Sequence, residues 1–364
     1  MKKTLIALAT LAAMSGAAMA QSSVTIYGVL DAGYGSLKGG KLGLQNGETY
    51  ATTPAPGTAK DGFNSTSVIG FRGVEDLGGG LQAKFNLQTG GFDLGTGATA
   101  LAFSRESNVA LAGGFGEVQL GRSSSIAAKS MGGFDLNGTS GSSALAIAGV
   151  SAVTWYGTSR RSDQMQYTSP SFGGVTARLG VTLKNDSTAN GNAVAATAKD
   201  RVTAALSYAN GPVAIGAVIE TKSTTAYRDS YAVGASYDLG VAKIAATYNQ
   251  RELIGTAGYN QFAAGTTVGA TSGGKGYSLG VVAPIGAFNI GAQYANNSDT
   301  KVKATELFAN YALSKRTRVY LDYVMTSGTN AYAASAAETA YGKVATDAVP
   351  AKAGAYGFGV VHSF

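Results

Sequence analysis

Leu81-Gln82-Ala83-Lys84-Phe85-Asn86-Leu87-Gln88 alternates apolar and polar side chains without a break. Val175-Thr176-Ala177-Arg178-Leu179-Gly180-Val181-Thr182-Leu183-Lys184 does so again. Successive side chains of a strand point to opposite faces, so each stretch carries one apolar and one polar face. Runs of the same period cover 201–208, 228–237, 242–251, 288–294 and 318–325. Helical spacing at three and four residues is nowhere sustained. These stretches predict an all-β fold.

Outward from the runs, the connections come in two sizes. The short ones are Leu77-Gly78-Gly79-Gly80, Gly113-Gly114-Phe115-Gly116, Pro170-Ser171-Phe172-Gly173-Gly174, Asn210-Gly211-Pro212, Asp238-Leu239-Gly240, Pro284-Ile285-Gly286 and Leu313-Ser314-Lys315. Gly and Asn there supply the positive φ of tight reversals. The long ones are rich in Gly, Ser, Thr and Ala and lie around 38–64, 122–158, 185–199, 252–274 and 328–353. Short turns alternating with long loops are the pattern of a transmembrane β-barrel. A secreted soluble β-sandwich would also alternate apolar and polar residues, with the apolar side in its core. Three features favour the barrel. Outward candidates such as Ala204, Ala235 and Tyr237 are small or aromatic. The runs are about ten residues long, which a tilted strand needs to cross a bilayer. Tyr208, Tyr237, Tyr248, Tyr294, Tyr311 and Tyr323 stand near run ends, where an aromatic girdle would place them.

Residues 1–20 read as a signal peptide followed by one barrel over 21–364. Lys2 and Lys3 form a basic start, Leu5 to Met14 an apolar stretch, and Ala18-Met19-Ala20 a cleavage site before Gln21. The apolar run is too short for a membrane-spanning helix. Removing residues 1–20 takes two lysines and no acid, lowering the net charge from +7 to +5. With 52 Gly among 364 residues, long helices are disfavoured. Cysteine is absent, which excludes a disulfide framework, a thiolate metal site and a thiol nucleophile.

The ends of the expected mature chain carry a family resemblance. It opens Ser22-Ser23-Val24-Thr25-Ile26-Tyr27-Gly28-Val29-Leu30-Asp31-Ala32-Gly33 and closes Gly357-Phe358-Gly359-Val360-Val361-His362-Ser363-Phe364. Internally, Ile69-Gly70-Phe71-Arg72-Gly73-Val74-Glu75-Asp76-Leu77-Gly78-Gly79-Gly80-Leu81 and Ser169-Pro170-Ser171-Phe172-Gly173-Gly174 complete the set. Over its whole mature length the sequence resembles Gram-negative general porins of the neisserial and β-proteobacterial type. The resemblance implies about sixteen antiparallel strands, a homotrimer in the outer membrane among lipid and lipopolysaccharide, and passive passage of small hydrophilic solutes. It also implies a long third loop, here about Arg122 to Ser159, folded into the lumen, and makes Phe364 part of the assembly signal.

A porin needs a polar lumen and a constriction whose size and charge select solutes. Strand parity turns Lys84, Arg178, Arg201, Lys243, Arg251 and Arg318 inward, since a cation facing lipid near the midplane costs roughly 2–4 kcal/mol. The resemblance implies a constriction with arginines on one wall and acids on the third loop. It assigns Arg72, Arg105, Arg122 and Arg160 to the basic side with Lys84, and Asp135, the sole acid between Arg122 and Ser159, to the loop. Two positions depart from the family pattern. Val68 replaces a frequent arginine, which weakens the anion preference, and Val361 stands where relatives often carry a basic residue. Mild anion selectivity is the expectation.

Other functions are weighed against this one. A substrate-selective channel would concentrate aromatics or basic residues in its lumen, whereas here the inward cations are scattered and most tyrosines fall in the outward phase. A barrel hydrolase needs a general base, and the single histidine, His362, lies two residues from the C-terminus without a nucleophile to serve. An adhesive role of the external loops is compatible with the sequence. Scattered charges without a recognition motif argue against nucleic-acid binding. Neither a cofactor nor a metal site is expected.

Overall fold

The computed structural model describes residues 23–37, 43–45, 64–90, 94, 102–138, 143–153, 159–184, 199–221, 229–251, 275–299, 301–327 and 352–364. The expected signal peptide and most residues of four long connections lie outside these ranges.

Sixteen strands form the wall. They are β1 (Ser23–Leu37), β2 (Val68–Gly78), β3 (Leu81–Gln88), β4 (Glu106–Gly113), β5 (Gly116–Ser124), β6 (Gln164–Thr168), β7 (Val175–Thr182) and β8 (Arg201–Asn210). They continue as β9 (Val213–Glu220), β10 (Ser230–Asp238), β11 (Lys243–Gln250), β12 (Gly276–Ile285), β13 (Phe288–Asn297), β14 (Lys303–Ala312), β15 (Thr317–Ser327) and β16 (Lys352–Ser363). Two short pieces, Gly43–Gln45 and Arg160–Arg161, pair alongside β1 and β5. Each wall strand is antiparallel to its sequence neighbours, and β1 pairs with β16, so the sheet closes.

The seam divides β1 in two. Ser23 to Val29 pair with β2, and Val29 to Leu37 pair with β16. Phe364 completes the seam by exchanging both backbone hydrogen bonds with Gly28, each 3.1 Å. Its ring lies where a side chain at Gly28 would stand: a Cβ there would come within 2.3 Å of the ring. Closure leaves no open edge with unpaired N–H and C=O groups, a condition that lipid imposes on any spanning sheet.

The two faces are inverted relative to a soluble protein. Leu206 and Leu279 keep 58% and 54% of their surface exposed, whereas Glu306 and Asp322 keep none. Apolar surface left in water is unfavourable by roughly 25 cal/mol per Å². An outer belt of Val, Leu, Ile and aromatic side chains therefore belongs in hydrocarbon, and the soluble-sandwich alternative falls. Aromatic pairs flank the belt. Tyr231–Tyr248 and Tyr277–Tyr294 lie at one end of the strands, with centroids 6.2 Å apart in each pair. Phe288–Tyr311 lies at the other end, at 4.5 Å.

The segment after β5 rests against the polar face. It contains helix α1 (Ile126–Met131), a 3-10 turn (Gly132–Phe134) and helix α2 (Ala144–Ile147). Ser125 caps α1 by accepting from Ala128 N at 3.1 Å, and Ser143 caps α2 by accepting from Leu145 N at 3.2 Å. Ile126, Ala127, Met131, Phe134 and Ala152 pack on Ala205, Val218 and Ala232. Ala144, Ala148 and Val150 pack on Ala295, Val302, Ala304 and Val324. Small wall residues make room for this close approach. A Cβ at Gly216 or Gly234 would sit 2.8 or 2.6 Å from the Phe134 ring.

Candidate functional site

Arg72 and Arg105 mark a basic patch on the polar face. Thr25 and Asn86 flank Arg72 in register, on the polar face of β1 to β3. The Arg72 guanidinium lies 5.1 Å from the centre of the Tyr27 ring, a cation–π arrangement. Tyr27 Oη donates to Asn86 Oδ1 at 2.6 Å and accepts from Gln88 Nε2 at 3.3 Å. Gln88 Oε1 in turn accepts from Arg105 Nε at 3.0 Å. Arg72 and Arg105 are thus brought together through Tyr27 and Gln88, two neutral residues absent from the sequence-derived set. Lys84 pairs with Glu117 at 3.0 Å with both side chains about one-third exposed, so solvent screens their attraction.

Asp135 is placed differently from its expected station opposite the arginines. Buried to 6% exposure, it accepts from Gln293 Nε2 at 2.9 Å, from Asn137 N at 3.3 Å and from the Ser143 hydroxyl. Its carboxylate ties the segment to β13 and holds α2 at its start. Asn137 extends the attachment, donating to Glu306 Oε1 at 2.6 Å and Asp322 Oδ1 at 3.0 Å on β14 and β15. Ala144 N adds a bond to Glu306 Oε2 at 2.9 Å. Nothing in the sequence separated Asn137 from other polar loop residues, because its partners are about 170 to 185 positions away.

Arg122 departs from the polar face altogether. Its register partner is Ser107, and it follows Leu120, which is 48% exposed on the apolar face, by two residues. Parity counted from Leu120 therefore turns Arg122 outward. There it donates to Ser162 Oγ at 2.8 Å and to the Ser104 carbonyl, joining two neighbouring connections. Arg160 lies opposite Ser124 and donates to Ser159 Oγ at 2.8 Å. The buried member of that doublet is Arg161, in an ion pair with Glu220 at 3.3 Å. Thr203 Oγ1 also donates to Glu220, at 3.0 Å. Sequence reasoning passed over Arg161, although in an Arg-Arg strand piece the two side chains take opposite faces.

The remaining cations are spread around the polar face. Arg178 donates to Ser207 Oγ at 3.0 Å, and Arg318 to Asn64 Oδ1 at 2.7 Å. Arg201 and Arg251 are buried at 6% and 7% exposure, and Lys243 sits opposite Asp238 near a short turn.

Lys129 on α1 is a further cation that the sequence reading missed. It donates to Gln119 Oε1 at 2.7 Å and Gln166 Oε1 at 2.6 Å. Water reaches the residue, yet wall and helix ring its ammonium. That partial desolvation holds its pKa below the ordinary lysine value, with Arg178 acting in the same sense and Glu106 and Glu117 in the opposite one. Its signal was available, because Lys129 is the only lysine between Arg122 and Ser159.

Among the described residues, no three metal-ligating side chains come together. His362 Nδ1 lies 2.9 Å from Thr317 Oγ1, a cross-strand pair at an exposed end of the wall.

Comparison with known proteins gives a consistent result. The family model described as Gram-negative porin matches residues 7–331. Outer membrane porin protein 32 of Delftia acidovorans is 32% identical over 339 residues, covering 88% of each chain. The solved anion-selective porin from Comamonas acidovorans superposes with a TM-score of 0.69 at 25% identity, covering 94% of this chain and 100% of that one. An in-vitro folded outer membrane protein of Vibrio cholerae, solved in a trimer form, shares the fold with a TM-score of 0.62 at 13% identity, covering 94% of this chain and 99% of that one.

Proposed function

This chain belongs to the Gram-negative porin family, and we propose that within it the protein is a mildly anion-preferring general diffusion pore whose passage is narrowed by the segment between β5 and β6. As a family member it is a channel of the Gram-negative outer membrane for small hydrophilic solutes and ions, not an enzyme. The polar face lines the lumen, and α1, the 3-10 turn and α2 fold into it. Arg72 and Arg105 form the basic wall of the constriction, with Lys84 beside them. Asp135 anchors the segment instead of opposing that wall.

One observation carries the anion preference: the Arg72–Arg105 patch has neutral Tyr27 and Gln88 at its centre, while the acid expected to oppose it is buried against Gln293. Three further proposals complete the reading. Residues 1–20 are removed on export. Three copies assemble as a homotrimer within lipid and lipopolysaccharide, supported by the trimer form of the Vibrio cholerae protein. Phe364 serves assembly by closing the seam.

Reversal potential across a planar bilayer under a potassium chloride gradient tests this reading. Large ohmic steps that close in thirds, with chloride permeating more readily than potassium, are the expected result. A potassium preference would overturn the anion assignment, and absence of steps from folded protein would overturn the pore.

A further inference from the structure

The segment from Arg122 to Ser159 contains three charged residues, Arg122, Lys129 and Asp135. Arg122 is tied to Ser162 and the Ser104 carbonyl, and Asp135 is buried against Gln293, whereas Lys129 is exposed on the polar face. We propose that Lys129 is a specificity-determining residue of the passage: the segment holds a cation against β5 and β6 on the polar face, where its charge draws small carboxylate and phosphate anions. The inference rests on the diffusion-pore reading and adds a residue to it.

The groups that hold the Lys129 ammonium directly are neutral. Both direct acceptors are uncharged amide oxygens, fixed in orientation by their own amide nitrogens. Gln119 Nε2 donates to Asn108 Oδ1 at 2.9 Å. Gln166 Nε2 donates to Gln164 Oε1 at 2.7 Å and to the Ser124 carbonyl at 2.9 Å. Each amide is therefore turned with its oxygen toward Lys129. Two carboxylates, Glu106 and Glu117, act on the ammonium through space, and neither is its direct acceptor. Glu117 pairs with Lys84. Glu106 accepts from Ser124 N at 3.1 Å, Ser124 Oγ at 3.0 Å and Asn108 Nδ2 at 2.8 Å. Arg178 contributes a second positive charge on the same side, with Nη1 3.5 Å from Ser130 Oγ, on the residue after Lys129. Glu106 and Glu117 offset part of this charge and Arg178 adds to it, so a cation without a direct carboxylate partner leaves a positive field in the water beside it.

The test uses the full mature protein in planar bilayers and compares Lys129→Gln, Lys129→Glu and Lys129→Arg by reversal potential. The chloride-over-potassium permeability ratio should fall about two-fold in Lys129→Gln and about two-fold again in Lys129→Glu, the effect of one unit charge acting through water at roughly 8 Å. Lys129→Arg should keep the wild-type ratio, as should Lys315→Gln in the short turn after β14. Unchanged ratios in intact Lys129→Gln and Lys129→Glu channels would sink the proposal while the pore reading stood. Increased flicker in Lys129→Gln, with a lowered ratio that Lys129→Arg fails to restore, would also sink it, by making Lys129 a strut for the helix. Wild-type protein without channels would remove the pore reading and the inference together.

Discussion

On the proposed reading Asp135 and Arg72 do different jobs, anchor and filter. Asp135 holds the inner segment by three hydrogen bonds, and removing one partner leaves buried donors unsatisfied, at about 1–3 kcal/mol. Asp135→Ala should therefore raise open-channel noise and leave the reversal potential near wild type. Arg72→Gln should do the reverse, lowering the chloride-over-potassium ratio about two-fold with quiet channels, since it removes one charge exposed to pore water. Recording both variants in the same salt gradient distinguishes anchor from filter, and matching signatures would refute the division. Lys129 adds a pH signature. Its depressed pKa means that the neutral form gains ground at lower pH than for an ordinary lysine. The sign follows directly: anion preference is full below that pKa and declines as pH rises through it. The decline should begin before the usual lysine range and be absent in Lys129→Arg, because arginine stays charged throughout. A wild-type ratio that stays flat until ordinary lysines titrate would exclude this titration.

Among the elements, α1 and its 3-10 turn show how a short helical segment is held inside a sheet. Helix α1 spans six residues, too few to be stable alone. Its persistence comes from the Ser125 cap and from burying Ile126, Met131 and Phe134 over Gly180, Gly216 and Gly234. Gly234→Val would drive branched carbons into the Phe134 ring. Overpacking of this kind costs typically 1–3 kcal/mol. Its urea midpoint in detergent should fall, and pairing it with Phe134→Leu should recover part of the loss. Equal loss in the single and double variants would show that the ring contact is not the cause.

For the molecule as a whole, the seam is the decisive contact, because a barrel becomes edge-free only when its first and last strands meet. Deleting Phe364 leaves Gly28 N–H and C=O without their partners and opens a gap where the ring packed. Folded, heat-modifiable protein should form more slowly and in lower yield from the truncated chain. Folding at the wild-type rate in lipid vesicles would remove Phe364 from assembly and leave it a structural cap only.

Alternation in the sequence by itself determined the faces and the barrel, while the strand number and the channel class came with the family resemblance. Period two is a local property, so Leu81 to Gln88 or Arg201 to Tyr208 disclose their faces without reference to any other residue. The inward phase expected for Lys84, Arg178, Arg201, Lys243, Arg251 and Arg318 follows from that count, whereas the resemblance placed Arg122 on the basic wall and its register with Ser107 turns it outward. Only the tertiary structure decided which charges meet. Asp135 is buried because Gln293 and Ser143 reach it, and Asn137 matters because Glu306 and Asp322 arrive from distant strands. Lys129 looks like an isolated lysine in an apolar run until Gln119 and Gln166 surround it. Alternation is imposed by backbone geometry residue by residue, whereas pairing across a closed barrel depends on register and on where a long connection comes to rest.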